Sequence, residues 1–391
     1  MDVTKHLRLQ RVFYRILYFV LAIPFRVFGR FSCKVTKPKA KTFLALTNHN
    51  NDIDAFYMAV GLFRHMRFVA SAHLTRGRAG RILSLLIGPI PRKKGAKADD
   101  TVELIEENLK NGISVGMMPE GNRSWDGKTM FIPKRTALVA KESGAALVTY
   151  RLKGFYLRTP RWAKYKRRGP SSGELVREYS PEELAEMTVD EVYDAIVRDL
   201  YVTAFEEQKK EPHLYRGKRL AESIEAVLYL CPSCRRFGTI HSKGNGFSCS
   251  CGLAGTVDET GFLKGDLPFD NTVSWDTYQK SYLNENRDML KVRRDPFFRD
   301  EHCTLARIEE REKTVLKADC SAVFYADRLE IEDADGALSF PLAKIIRFGA
   351  FRNQKVLFST ESEYYEILSR HILSGVKYDA FWRVLTGKPY L

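Results

Sequence analysis

The sequence predicts an α/β protein in which helices flank a central sheet, and three observations carry that prediction. Apolar, β-rich runs at 42–47, 67–71, 113–118 and 145–152 alternate with helical patterns at 53–62, 80–86, 99–110 and 134–143, as in layered α/β domains. Two cysteine pairs, Cys231/Cys234 and Cys249/Cys251, bracket a short glycine-containing stretch. Beyond them, strand-like runs separated by turn signals end in helical patterns, so a C-terminal α+β domain should complete the chain. A chain of 391 residues can hold two or three domains. Its 44% hydrophobic and 28% charged residues are the balance of a folded, largely soluble protein.

The N-terminus carries the charge. The net charge is +15, and residues 1–100 contain 19 Lys plus Arg against 5 Asp plus Glu. Basic charge concentrated beside an apolar stretch points to an anionic membrane surface and phosphate-bearing substrates rather than to nucleic acid. Arg8, Arg11 and Arg15 recur at helical spacing, while Leu9, Val12, Phe13, Ile16, Leu17 and Val20 lie toward another face. The apolar run 16–25 is ten residues long, against the about 20 that a bilayer span needs, and Pro24 should bend or end the helix. With no small-residue cleavage site, residues 1–30 read as a membrane-interface helix; the alternative is a helix packed on the protein's own core.

Asn48-His49-Asn50-Asn51-Asp52-Ile53-Asp54 follows the first strand and Pro119-Glu120-Gly121-Asn122-Arg123-Ser124 the third. Both blocks emerge beyond strand ends, where open α/β sheets place ligands. A turn opening a helix folds Asp54 back toward the His49 imidazole, giving a base and its orienter. Arg123 offers a planar fork for phosphate. Asp52 is a rival carboxylate, assigned here to capping the following helix.

These residues resemble the glycerophospholipid acyltransferase family, whose 1-acylglycerol-3-phosphate acyltransferases carry an Asn-His-x4-Asp and a Glu-Gly-Thr-Arg block. Gly88-Pro89-Ile90-Pro91-Arg92 looks like the intermediate block and Ala146-Leu147-Val148-Thr149-Tyr150 like the fourth. The resemblance spans roughly residues 1–210. Asn122 replaces the usual threonine and the fourth block lacks its usual proline, which leaves the acceptor's identity open. The resemblance implies an acyltransferase domain at 31–218, built on the family's central sheet. It implies that His49 takes the proton from a lysophospholipid hydroxyl attacking an acyl thioester, with Asp54 holding the imidazole. Arg92 and Arg123 would grip the acceptor's phosphate, helped by the potential of Lys93 and Lys94. Glu120 would orient Arg123 and its loop, and N–H groups near Gly121 would assist the oxyanion. No Ser or Cys sits in a nucleophile motif, so transfer is direct, and catalysis needs no cofactor.

Arg158, Arg161, Lys164, Lys166, Arg167 and Arg168, interleaved with Trp162 and Tyr165, read as a flexible basic loop running to 173. Ser180-Pro181-Glu182-Glu183 then has the cap, proline and acids that open a helix, expected to continue toward Gln208. The four cysteines, with Gly238, Gly244 and Gly246 between the pairs, form a zinc-ribbon signature at 228–256. A site closed by four sulfurs is structural. In the C-terminal domain, 265–391, strands are expected at 304–309, 314–318, 322–325, 328–332, 338–341, 345–349 and 355–359, with a turn at Asp335-Gly336 and helices at 363–374 and 378–385. That order suits a pleckstrin-homology-like or GRAM-like module.

The expected activity is transfer of a fatty acyl group from acyl-CoA or acyl carrier protein to a lysophospholipid, foremost 1-acylglycerol-3-phosphate. The expected site is the cytoplasmic face of a membrane, with the protein peripheral or monotopic. Another lysolipid or an acyl-amino-acid acceptor is the first alternative. The second, a nucleic-acid-binding zinc ribbon, is disfavoured because the ribbon's basic residues are few, Arg235, Arg236 and Lys243, and no stacking aromatic motif accompanies them.

Overall fold

A computed structural model describes residues 4–71, 77–92, 99–309, 312–351 and 353–389. The chain divides into two compact units, one of Met1–Thr159 with Arg168–Leu214, the other of Pro160–Arg167 with Tyr215–Leu391.

The first unit is a helix-flanked sheet. In chain order its elements are α1 (Leu7–Val27), β1 (Phe31–Cys33), β2 (Phe43–Thr47), α2 (Asp54–Leu62), β3 (Arg67–Ser71), α3 (Gly77–Ile87), β4 (Ile90–Arg92) and α4 (Asp99–Lys110). There follow β5 (Val115–Met117), α5 (Arg135–Glu142), β6 (Ala146–Lys153), α6 (Phe155–Arg158), β7 (Ser171–Tyr179), α7 (Pro181–Glu186), α8 (Val189–Leu200) and α9 (Ala204–Lys210). The strand order is β1-β7-β6-β2-β5-β3-β4. Every pairing is parallel except β6 with β7. All five residues of β2 are buried, because a central strand covered on both faces must be apolar throughout. One face packs Ile105, Ala137, Val192 and Ile196 from α4, α5 and α8; the other packs Tyr57, Met58 and Leu62 from α2 with Ala22 of α1. Close approach on the second face needs glycine: a Cβ at Gly61 would lie 1.9 Å from the Tyr150 hydroxyl.

Three expectations are corrected in this unit. Pro24 lies inside α1 without ending it, since it falls in the last turn, where Phe28 and Gly29 N–H groups both donate to its carbonyl. The helix expected from 180 to 208 is three helices. Ser180 caps α7, and Thr188 forms a capping box with Glu191 that starts α8 afresh. The basic loop is not a loose excursion: Trp162 and Arg167 are buried, the Arg167 guanidinium donates to the Leu220 carbonyl, and the chain is in β7 by Ser171.

The second unit begins with β8 (Ile240–Lys243), β9 (Gly246–Cys249), β10 (Ala254–Val257) and β11 (Leu263–Lys264), an antiparallel sheet in the order β11-β10-β9-β8. After α10 (Thr272–Glu285) and α11 (Arg287–Lys291) come β12 (Phe298–Ile308), β13 (Lys313–Phe324), β14 (Arg328–Asp333), β15 (Gly336–Pro341), β16 (Arg347–Phe351), β17 (Lys355–Ser359), β18 (Tyr364–Ser369) and α12 (Gly375–Thr386). The order β15-β14-β13-β12-β18-β17-β16 is antiparallel throughout, and Asp333 pairs with Gly336 across the expected hairpin turn. Residues 314–318 and 322–324, from two expected strands at 314–318 and 322–325, belong to the single β13. The helix expected at 363–374 is instead β18. There Tyr365 and Ile367 join the core in strand alternation, and Glu366 between them is held by Lys313 and Lys355. Tyr378, Phe381 and Trp382 of α12 cover the sheet, and Tyr229 and Leu230, just before the first cysteine, share that core.

Candidate active site and cysteine cluster

Strands β2 and β5 are parallel neighbours, with Leu46 opposite Met117, so the chain leaves both at the same edge of the sheet. This brings the two sequence blocks together. Asn48 fixes the exit from β2: its side-chain amide donates to the Leu152 carbonyl and accepts from the Leu152 N–H, both at 2.8 Å, extending the pairing with β6 by one side chain. The sequence carried no signal for that role.

The His49 backbone is clamped from two sides. Its N–H donates to Glu120 Oε1 at 2.7 Å, and its carbonyl accepts from the Ser124 N–H at 3.1 Å. The ring Nδ1 lies 3.0 Å from Asp54 Oδ2. Asp54 is fully buried in the first turn of α2, and the same oxygen accepts the Asn50 and Asn51 N–H groups at 2.6 and 2.8 Å. Main-chain donors and the positive helix end together hold a carboxylate there. With Nδ1 facing a carboxylate acceptor, Nε2 lies on the opposite side of the ring, away from that contact. The imidazole is 17% exposed.

Glu120 acts on the backbone rather than on Arg123. Its second oxygen accepts the Met130 N–H at 2.6 Å, so the carboxylate ties the His49 loop to the segment after its own block. Burial pushes this carboxyl up to about 8, opposed by the two N–H groups it accepts. The Gly121 N–H donates to the Met118 carbonyl, so it closes a turn instead of facing an oxyanion. Asn122 is half-buried beside it.

Arg123 spreads over three acceptors: Nε to the Asn50 carbonyl, Nη1 to Asp52 Oδ1 at 3.1 Å, and Nη2 to the Thr159 carbonyl at 2.9 Å. Asp52 is thus the arginine's partner and makes no cap on α2. Thr159, which the sequence reading missed, also accepts Asn51 Nδ2 at its hydroxyl. Arg92 ends β4, opposite Ser71 of β3, and is half-buried. Lys93 and Lys94 lie outside the described residues.

In the second unit the Cys231, Cys234, Cys249 and Cys251 sulfurs all lie within 4.8 Å of one another. Cys231 to Cys251 and Cys234 to Cys249 are both 3.7 Å apart. A tetrahedron with zinc–sulfur bonds of about 2.3 Å has sulfur–sulfur edges of about 3.8 Å, so the donor set fits zinc. Left-handed Arg235 and Gly252 turn the two knuckles, their N–H groups donating to the Cys231 and Cys249 carbonyls.

Residues 30–153 match the family model described as Acyltransferase, and this part of the chain is an acyltransferase domain; the protein is an acyltransferase enzyme. The likeness of its four blocks to the glycerophospholipid acyltransferase family stands with that match. Among solved structures, the 1-acyl-sn-glycerophosphate (LPA) acyltransferase PlsC from Thermotoga maritima is similar at 19% identity, covering 52% of this chain and 79% of that one, with a TM-score of 0.40. The Vps36 N-terminal PH domain is similar at 16% identity, covering 24% of this chain and 80% of that one, with a TM-score of 0.20. No curated protein matches the chain.

Proposed function

We propose that the enzyme moves a fatty acyl group from an acyl thioester directly onto the hydroxyl of 1-acylglycerol-3-phosphate at a membrane surface. The observation that carries this reading is the buried Asp54 carboxylate on His49 Nδ1, inside the matched domain. His49 Nε2 accepts the acceptor's hydroxyl proton as that oxygen bonds to the thioester carbon. Asp54 stabilises the imidazolium. When the tetrahedral intermediate collapses, the carbon–sulfur bond breaks and the imidazolium returns the proton to the leaving sulfur. Arg123 and Arg92 take the acceptor's phosphate. Asp52, the most exposed of Arg123's partners, gives way to it. Among the described residues no helix is long and apolar enough to cross a membrane. The lipid contact is α1, whose Val12, Ile16, Phe19, Val20, Ile23 and Val27 are all exposed on one stripe. The four cysteines hold a structural zinc.

The test is a mass-spectrometric transfer screen with purified protein, a panel of lysolipids and acyl-amino acids, and donors on both coenzyme A and acyl carrier protein. Product from 1-acylglycerol-3-phosphate above all others supports the reading. Product only from an acceptor lacking a phosphate would overturn the role given to Arg123 and Arg92.

A further inference from the structure

The apolar stripe of α1 has two different borders. On a wheel of 3.6 residues per turn, Arg8, Arg15 and Arg26 line one edge of the exposed stripe. Tyr14, which donates to the Ala59 carbonyl, and Phe25, whose ring lies 4.3 Å from that of Tyr57, turn the inward face of α1 onto α2. Beyond the stripe's other edge lies α3: Gln10 Nε2 donates to the Leu85 carbonyl, and the side chain of Gln10 also meets Arg67. Helix α3 does not close the apolar surface. Ile82 is 60% exposed, Leu85 is exposed beside it, and Arg78 and Arg81 stand exposed in the preceding turn.

We infer that α3 is the second half of the lipid-facing surface, so that α1 and α3 dock together on an anionic bilayer. Ile82 and Leu85 enter the headgroup boundary beside Leu9, while Arg78 and Arg81 meet lipid phosphates. The inference rests on the membrane reading of α1 and extends it to an internal helix that the sequence reading placed only as sheet cover. The occupant follows from charge and shape: an apolar band bordered by arginines on both helices is complementary to acyl chains under a negative headgroup layer. A functional consequence follows from connectivity. The chain runs from Ile87 through Gly88 into β4, which ends at Arg92, so lipid contact at α3 sits one short strand from a proposed phosphate ligand.

The experiment is flotation of the full chain with vesicles of equal parts phosphatidylcholine and phosphatidylglycerol, and with phosphatidylcholine alone. The variants are Ile82→Asp with Leu85→Asp, Arg78→Gln with Arg81→Gln, and Phe19→Asp with Ile23→Asp. All six residues are exposed, and thermal melts verify that folding is unchanged. The α3 apolar pair should weaken vesicle binding at least about tenfold, as the α1 pair does. The arginine pair should remove most of the preference for anionic vesicles. If only the α1 pair loses binding, the role of α3 is wrong and the membrane reading survives. Failure of the parent protein to float removes both. A parent dimer that the α3 pair converts to monomer, with vesicle binding unchanged, would show that the face covers a second copy instead.

Discussion

His49 is held at four points, by Glu120 and Ser124 on its backbone, Asp54 on its ring, and Asn48 immediately before it. Such fixing suits the proposed base, because little of its geometry needs adjusting during reaction. His49→Ala should lower kcat at least about a hundredfold while circular dichroism and melting remain those of the parent; undiminished turnover would remove the mechanism. Glu120→Gln is a subtler change. A carboxamide has one acceptor oxygen for two inward N–H groups, so its NH2 must face either His49 or Met130. An unmet buried donor costs about 1–3 kcal/mol, so the variant should melt earlier and lose roughly tenfold or more in kcat, with the acceptor KM little changed. A KM effect alone would return Glu120 to the substrate. Reading His49 and Asp54 from sequence was possible because the turn that joins them is local, five residues long. The partner of Asp52 and the work of Glu120 lie some seventy residues away across a sheet, and spacing along the chain says nothing of such pairings.

At the scale of elements, the four expected strands and four helices between 42 and 152 lie close to those found because each is a continuous apolar or amphipathic run. Errors came where a polar residue could serve two states. Thr188 sits within a helical pattern yet starts a new helix through its capping box, and Glu366 lies within a strand because Lys313 of β13 and Lys355 of β17 neutralise it. The packing of α1 onto the unit carries its own pH dependence. His65 stacks edge-on against Tyr14, and burial, with Arg11 and Arg67 nearby, lowers its pKa from 6.5 to about 4. In the unfolded segment this imidazole takes a proton below about 6.5, in the fold only below about 4. Stability is therefore whole above the higher value and declines as pH falls toward the lower. Hydrogen-exchange protection factors in residues 7–27, corrected for the intrinsic pH dependence of exchange, should fall as pH drops between these two values, and His65→Asn should flatten that response. A parent whose protection factors are unchanged by acid over this window would refute the account.

At the scale of the whole molecule, the cysteine cluster matters beyond its own small sheet. The Trp275 indole donates to the Leu230 carbonyl, Gln279 accepts from the Tyr229 and Leu230 N–H groups, and Tyr229 and Leu230 themselves enter the core beneath α12. Structural zinc contributes folding free energy on the order of 10 kcal/mol in small modules. Elemental analysis should find about one zinc per chain, and Cys249→Ser should lose most of it and become sensitive to proteolysis through residues 215–391, not only 228–256. Acyl transfer should survive in part, since the site residues lie in the other unit. A metal-free parent that still resists protease would contradict the assignment.

Pro160–Arg167 belongs to the second unit although it is flanked on both sides by the first. Seen from the ribosome, the chain is not two beads made one after the other. When residue 214 emerges, Arg161, Trp162 and Arg167 have been synthesised, but their hydrogen-bond partners Ala350, Asn353 and Leu220 have not, Asn353 following Trp162 by 191 residues. A nascent chain paused after the first unit carries a basic, tryptophan-containing segment whose hydrogen-bond partners are still unmade. A gene cut at 214 makes that passing condition permanent.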